Sequence, residues 1–174
     1  MKSGGGKRKG SAYEREISKS LSLWLTDGKR VDCVWRTSGS GAMSTVNNSD
    51  TQCGDLHAVR PEAHKFFSIF SLELKNYKSL DIMSFQNKNF KLYEWWRQAE
   101  NDANRANKIP LLIVRINRKG DWLIMKASAN LISTIDFKID TDKTSYINIF
   151  NKEIDLNLFM VPLDWNIFNR EILI

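Results

Sequence analysis

Phe67–Lys75 reads FSIFSLELK, a run of strand-forming residues that ends in a carboxylate and an amine two positions apart. Side chains alternate along a strand, so Ile69, Ser71, Glu73 and Lys75 are expected to point one way and Phe70, Leu72 and Leu74 the other, into a core. Read this way, one strand end presents Glu73 and Lys75 together. An ExK pair is also an ordinary surface ion pair of small energetic worth, so its meaning depends on what the rest of the chain brings to it.

Immediately upstream, Asp55-Leu56-His57-Ala58-Val59 reads as a strand that begins with an acid, with Cys53-Gly54 just ahead of it and Asp55 and His57 on one face. Arg60–Lys65, with Pro61, reads as a connector, which makes the two strands an antiparallel hairpin and sets Asp55 beside Glu73. Val31–Arg36 is a further short strand. Between it and Asp55 lies TSGSGAMSTVNNSDTQCG, a long stretch of small polar residues of the kind that is functional or disordered in compact domains.

Toward the N-terminus, Ser11 and Glu14 have the S-x-x-E spacing of a capping box, and helical apolar spacing follows to about Leu25. Ile17, Leu21 and Trp24 fall three, seven and ten residues after Glu14, so Glu14 extends the core-facing stripe, while Glu16 lies about 200° around the helix from it. Glu14 either completes the cap or does so and also serves a site. Residues 1–10 have nothing to bury and are expected to be a flexible basic arm.

Downstream, Phe85–Lys108 has helical spacing at Leu92, Trp95, Trp96, Ala99, Ala103 and Ala106. Ile109–Ile116 is a buried strand, Asn117–Gly120 a turn, and Asp121–Lys126 its hairpin partner. Residues 127–174 form an extension with a short helix and one or two strands, packed on the core or forming a dimer interface. The order α-β-β-β-α-β-β predicts an α/β protein with a mixed sheet flanked by helices, its core over residues 11–126.

Composition narrows the function classes. The 174 residues suit one domain. No run of about 18 apolar residues occurs and no apolar segment follows the basic start, so neither a membrane span nor a secretory signal is expected, and the expected location is the cytoplasm, near the nucleoid, or the host cytoplasm for a phage protein. Two cysteines without CxxC spacing do not make a disulfide framework, and His57 and His64 have no cysteine pair to complete a zinc site. The net charge of +6 is uneven: 21 Lys/Arg face 12 Asp/Glu up to Gly120, and 5 face 8 after it. A basic first part favours a polyanion partner such as nucleic acid, against the plainer reading of a protein that is merely basic.

If Glu14, Asp55, Glu73 and Lys75 converge, the chemistry follows. Two carboxylates side by side repel unless a hard cation such as Mg²⁺ lies between them. Such a cation lowers the pKa of bound water and neutralises charge on a phosphate, while Lys75 can orient or deprotonate the attacking water.

The set Glu14, Gly54-Asp55-Leu56 and Glu73-Leu74-Lys75 resembles the PD-(D/E)xK nuclease signature, with Gly in place of the family's first Pro. Within that superfamily, KRKGSAYEREI (Lys7–Ile17) followed by WRTSGSG (Trp35–Gly41) resembles archaeal-type Holliday-junction resolvases, over about Lys7 to Trp122. The resemblance implies a restriction-endonuclease-like core and a Mg²⁺-dependent endonuclease, with Mn²⁺ able to substitute, acting on branched or double-stranded DNA as a homodimer. It implies Glu14, Asp55, Glu73 and Lys75 as the catalytic set, the three acids as metal ligands, and Gln98 as a supporting residue. Lys7, Arg8, Lys9, Arg15, Arg36, Ser38, Ser40 and Lys78 are the implied DNA contacts. Asp50 competes with Asp55 for the metal, but only Asp55 runs directly into a strand. Other nucleases on the same core (a nickase, a flap or end-processing enzyme, a restriction-type enzyme) and a DNA-binding module without chemistry are the alternatives.

Overall fold

The computed structural model describes residues 5–37, 53–126 and 146–174. Helix α1 spans Gly5–Leu25, β1 Val34–Arg36, β2 Leu56–Ala58, α2 Pro61–Ile69 and β3 Phe70–Tyr77. A 3₁₀ turn at Ile82–Gln86 leads to α3, Lys91–Arg105, then β4, Ile109–Ile116, and β5, Gly120–Lys126. Strands β6, Ile147–Asn151, and β7, Leu156–Pro162, precede a 3₁₀ turn at Trp165–Ile167 and a terminal helix α4, Arg170–Leu173. Five strands form one sheet in the order β3-β4-β5-β7-β6, with β1 and β2 as a separate antiparallel ribbon. Among the described strands, only β3 and β4 run parallel, Glu73 opposite Leu112 and Lys75 opposite Val114.

Strand alternation divides the core in two. Phe70, Leu72 and Leu74 join Leu111, Ile113, Leu123 and Val161 beneath α1 and α2, against Ile17, Leu21 and Phe66. Leu112, Val114, Ile124, Leu158 and Met160 face the other way, against Leu92, Trp96 and Ala99 of α3. Fully burying each such aliphatic side chain contributes about 1.5–3 kcal/mol. Glu73 shares the α3 face by alternation, which sets a carboxylate at the edge of an apolar layer.

The opening stretch departs from its reading as a single strand. Phe67–Ile69 are the last turn of α2, and the strand starts at Phe70. Pro61 sits in the first helical turn, where its missing N–H costs nothing, Glu62 suits the positive helix start, and Ala63, Phe66 and Phe67 bury one face. Phe66 and Phe70, one helical turn apart, bring their rings to 4.9 Å, so helix spacing outweighs the strand propensity of the aromatics. The expected hairpin is therefore absent: the segment taken for its connector is a helix, and β2 pairs with β1, Arg36 opposite Leu56.

The N-terminal helix begins at Gly5, so residues 5–10 are helical rather than part of an arm, and Ser11 and Glu14 lie inside the helix. The long helix α3 begins at Lys91 rather than near Phe85. Asp81 caps the start of the preceding 3₁₀ turn by accepting from Met83 N–H at 3.1 Å, and Asn87 N–H closes its end on the Ser84 carbonyl at 3.0 Å, which keeps that turn a separate unit.

The described part of 127–174 is built into the sheet. β7 pairs with β5, Trp122 opposite Pro162, and β6 pairs with β7. The Asn151 side-chain amide donates to the carbonyls of Phe85 and Gln86 at 3.1 and 3.2 Å, while Trp165 Nε1 donates to Ser20 Oγ at 2.9 Å. The tail thus ties both layers together. No helix among the described residues is long and apolar enough to cross a membrane.

Candidate active site

Strand β3 is an edge strand, and its open edge is met by Gly54-Asp55. Asp55 N–H donates to Leu72 carbonyl and Leu74 N–H donates to Asp55 Oδ2, each at 2.8 Å. Asp55 thus reaches the strand that carries Glu73 without the expected hairpin. The approach depends on Gly54, whose φ is +85° and where an added Cβ would stand 2.5 Å from Leu72 carbonyl oxygen. Proline, locked near φ −65°, has no place at this position, which explains the departure from the PD motif.

Glu73 is 4% exposed. Lys75 Nζ donates to its Oε1 at 2.5 Å and Gln98 Nε2 donates to the same oxygen at 2.8 Å. Lys75 Nζ also donates to Gln98 Oε1 at 3.0 Å, closing a triangle between β3 and α3. Burial, then the nearby Asp55 charge, pushes the Glu73 carboxyl up to about 7, against the opposing pull of Lys75. Asp102, one turn beyond Gln98 on α3, adds to the same upward push. Sequence reasoning missed Asp102 and Cys53, whose Sγ donates to the Asp102 carbonyl; the four-residue spacing from Gln98 was the available signal.

Glu14 is engaged elsewhere. Arg36 Nε donates to Glu14 Oε2 at 2.8 Å and Arg36 Nη2 to Ser11 Oγ at 3.0 Å. The S-x-x-E spacing that reads as a cap places both side chains on one helix face, where they hold a guanidinium. Glu16, expected to point away from that stripe, accepts from Arg115 at 2.6 and 2.8 Å.

Among the expected DNA contacts, Lys9 Nζ donates to Asn117 Oδ1 at 3.2 Å, and Arg15 and Lys78 are exposed. Lys7 and Arg8 fall on the first turns of α1. Ser38, Ser40 and Asp50 lie outside the described residues.

No group of three His, Cys, Asp or Glu side chains among the described residues comes together to hold a metal ion. Asp55 and Glu73 nevertheless fit a hard divalent cation, because Asp55 opposes the ionisation of Glu73 and a cation between them would relieve that opposition. Mg²⁺ is commonly held by only one or two protein carboxylates, with water and substrate oxygens completing its shell.

A mixed sheet flanked by helices, an acid docked on its edge strand and an E-x-K on that strand define a restriction-endonuclease-like fold of the PD-(D/E)xK nuclease class. The match to a family model described as "Phage putative PDDEXK endonuclease" runs over residues 5–171, and the chain belongs to that family. The match includes the extension, where the resolvase resemblance fades. No curated protein and no solved structure matches the chain.

Proposed function

We propose that this protein is a divalent-metal-dependent DNA endonuclease that hydrolyses phosphodiester bonds in branched DNA, with four-way junctions the leading substrate. The observation that carries the reaction is Asp55 docked on the strand whose Glu73 and Lys75 are joined by Gln98. Asp55 and Glu73 are the residues to hold Mg²⁺, or Mn²⁺ in its place. When bound, the cation supplies an activated water and neutralises charge on the phosphate.

Lys75 Nζ, held at the site by Glu73 and Gln98, orients the attacking water and takes or gives its proton. Gln98 keeps the amine beside the carboxylate. Glu14 is the third acid of the set, and a ligand role for it requires Arg36 to release Oε2. Arg36 and the basic residues Lys7, Arg8, Lys9, Arg15 and Lys78, with Ser38 and Ser40, are assigned to the DNA backbone, whose phosphates supply most non-specific affinity. The preference for junctions, and action as a homodimer, rest on the resemblance of Lys7–Ile17 and Trp35–Gly41 to junction resolvases.

The test is a panel of duplex, nicked, flap, fork and four-way-junction DNA, incubated with Mg²⁺ and with Mn²⁺, on wild type and Glu73→Gln. Junction cleavage by wild type, abolished in Glu73→Gln with binding retained, is the expected result. Equal cleavage by both proteins removes the site, and cleavage of another substrate class in preference reassigns the specificity.

A further inference from the structure

We infer that Trp35 is a stacking platform for an unpaired DNA base beside the scissile position, and so a determinant of preference for branched over fully paired DNA. The inference rests on the nuclease reading above and adds a specificity residue to it.

Trp35 is the middle residue of β1, and its Cα partner is His57 of β2. Val34 and Leu56 are fully buried beneath the ribbon, so alternation turns Trp35 to the outer face, where it is 51% exposed. Val59 is also exposed, whereas the His57 ring is half-buried, with Nδ1 3.3 Å from Thr37 Oγ1. A large, flat indole on a backbone held by inter-strand pairing is a rigid surface.

Its position relates it to the chemistry. Thr37 N–H donates to the Asp55 carbonyl at 2.8 Å, extending the ribbon's pairing to the carboxylate-bearing residue. Trp35 is two residues back from Thr37, about 7 Å along the strand. At the ribbon's other end, Arg30 Nε and Arg60 Nη2 share the carboxylate of Asp32, at 3.0 and 2.6 Å, with Glu62 also acting on Arg30. A DNA strand running from those guanidinium groups to Asp55 passes Trp35 on the way.

Other exposed aromatics lack this setting. Tyr77 is packed edge-on against Trp95 at 4.9 Å, and Phe150 is on β6, at the opposite edge of the sheet from β3. An exposed aromatic face on the ribbon that leads to Asp55 suits an unstacked base: every base has a π-face, whereas bases inside a duplex are already stacked on their neighbours.

The experiment compares wild type, Trp35→Ala and Trp35→Phe by fluorescence anisotropy in EDTA, where no metal-dependent cleavage occurs. The two DNAs are a fully paired duplex and the same duplex carrying a single-stranded branch, with 2-aminopurine as the first unpaired base. Wild type is expected to bind the branched DNA more tightly and to quench the 2-aminopurine. Trp35→Ala should lose about 10-fold or more in affinity for branched DNA, change less than about 2-fold on duplex, and lose the quenching, while Trp35→Phe keeps most of both.

Retained preference and quenching in Trp35→Ala overturns the inference. So does an equal loss on both DNAs, or a change from dimer to monomer in sedimentation with the preference intact, which would assign the face to a second copy of the chain. Cleavage is read separately with Mg²⁺. Failure of the nuclease reading appears as wild type that binds but does not cut, and failure of this inference as a preference that Trp35→Ala leaves intact.

Discussion

Two clusters of opposite charge in this protein use similar groups and end in opposite states. At the ribbon's outer end, Asp32 lies between Arg30 and Arg60, and their hydrogen bonds bring its carboxyl down to about 2. At the inner end, Glu73 lies between Lys75 and Gln98, and its carboxyl rises to about 7. Each acid has a cation in hydrogen-bond contact, so the cation alone does not decide the outcome. The difference is solvent, a second acid and the number of cations: Asp32 is partly exposed and held by two guanidinium groups, whereas Glu73 is buried near Asp55 with one ammonium. A surface pair screened by water is nearly neutral for stability, but a buried acid facing another acid favours its proton or a cation. The inner cluster therefore has an unmet demand for positive charge that the outer one lacks.

The largest effect expected from breaking this contrast is on catalysis. Asp55→Asn or Glu73→Gln should reduce cleavage of the preferred DNA by about 10³-fold, the order lost when one preorganised group that stabilises transition-state charge is removed. DNA affinity in EDTA should change little; gel quantification of product against time checks the first statement and fluorescence anisotropy in EDTA the second. Next is the backbone approach that brings the two acids together. Gly54→Ala places a Cβ 2.5 Å from Leu72 carbonyl oxygen at a φ of +85°, and should destabilise the fold by about 1–3 kcal/mol in urea unfolding, besides impairing cleavage.

A third outcome follows from the proton on Glu73. Its folded pKa of about 7 lies above the ordinary 4.5, so between these values the folded state holds more protons than the unfolded state. Glu73 should make the stability of the metal-free protein fall as pH rises through that window, by at most about 1.4 kcal/mol per unit, and Glu73→Gln should remove that contribution, leaving the opposite one of His57, whose pKa burial lowers. The smallest effect is at the outer cluster. Asp32→Asn should shift the urea midpoint at pH 7 far less than Gly54→Ala, and a shift of similar size would mean that exposure does not separate the two clusters.

Legibility in the sequence was uneven along the chain. The buried stripe of α3, Leu92, Trp95, Trp96, Ala99 and Ala103, follows from 3.6-residue spacing, and all five are buried. β4 runs over Ile109–Ile116 as its apolar run predicts. FSIF reads as strand, yet an aromatic and β-branched run of that length satisfies both periods, and the ring cluster of Phe66, Phe70 and Phe168 accompanies a helix up to Ile69. The S-x-x-E at Ser11 was equally two-sided, since the spacing that makes a cap also makes two neighbours on one helix face.

By itself, then, the sequence determined the α/β class, the acid-x-base pair on a strand, the acid ahead of another strand and the basic first part, because these depend on residue type and on spacing within a few positions. Tertiary structure alone decided that Asp55 reaches β3 through Gly54 rather than a hairpin, that Gln98 closes on Lys75 and Glu73, that Arg36 engages Glu14, and that the last strands complete the sheet. Each of these joins residues about 20 or more positions apart, and the free energy that selects them comes from burying two apolar layers and satisfying the polar groups left at their edges.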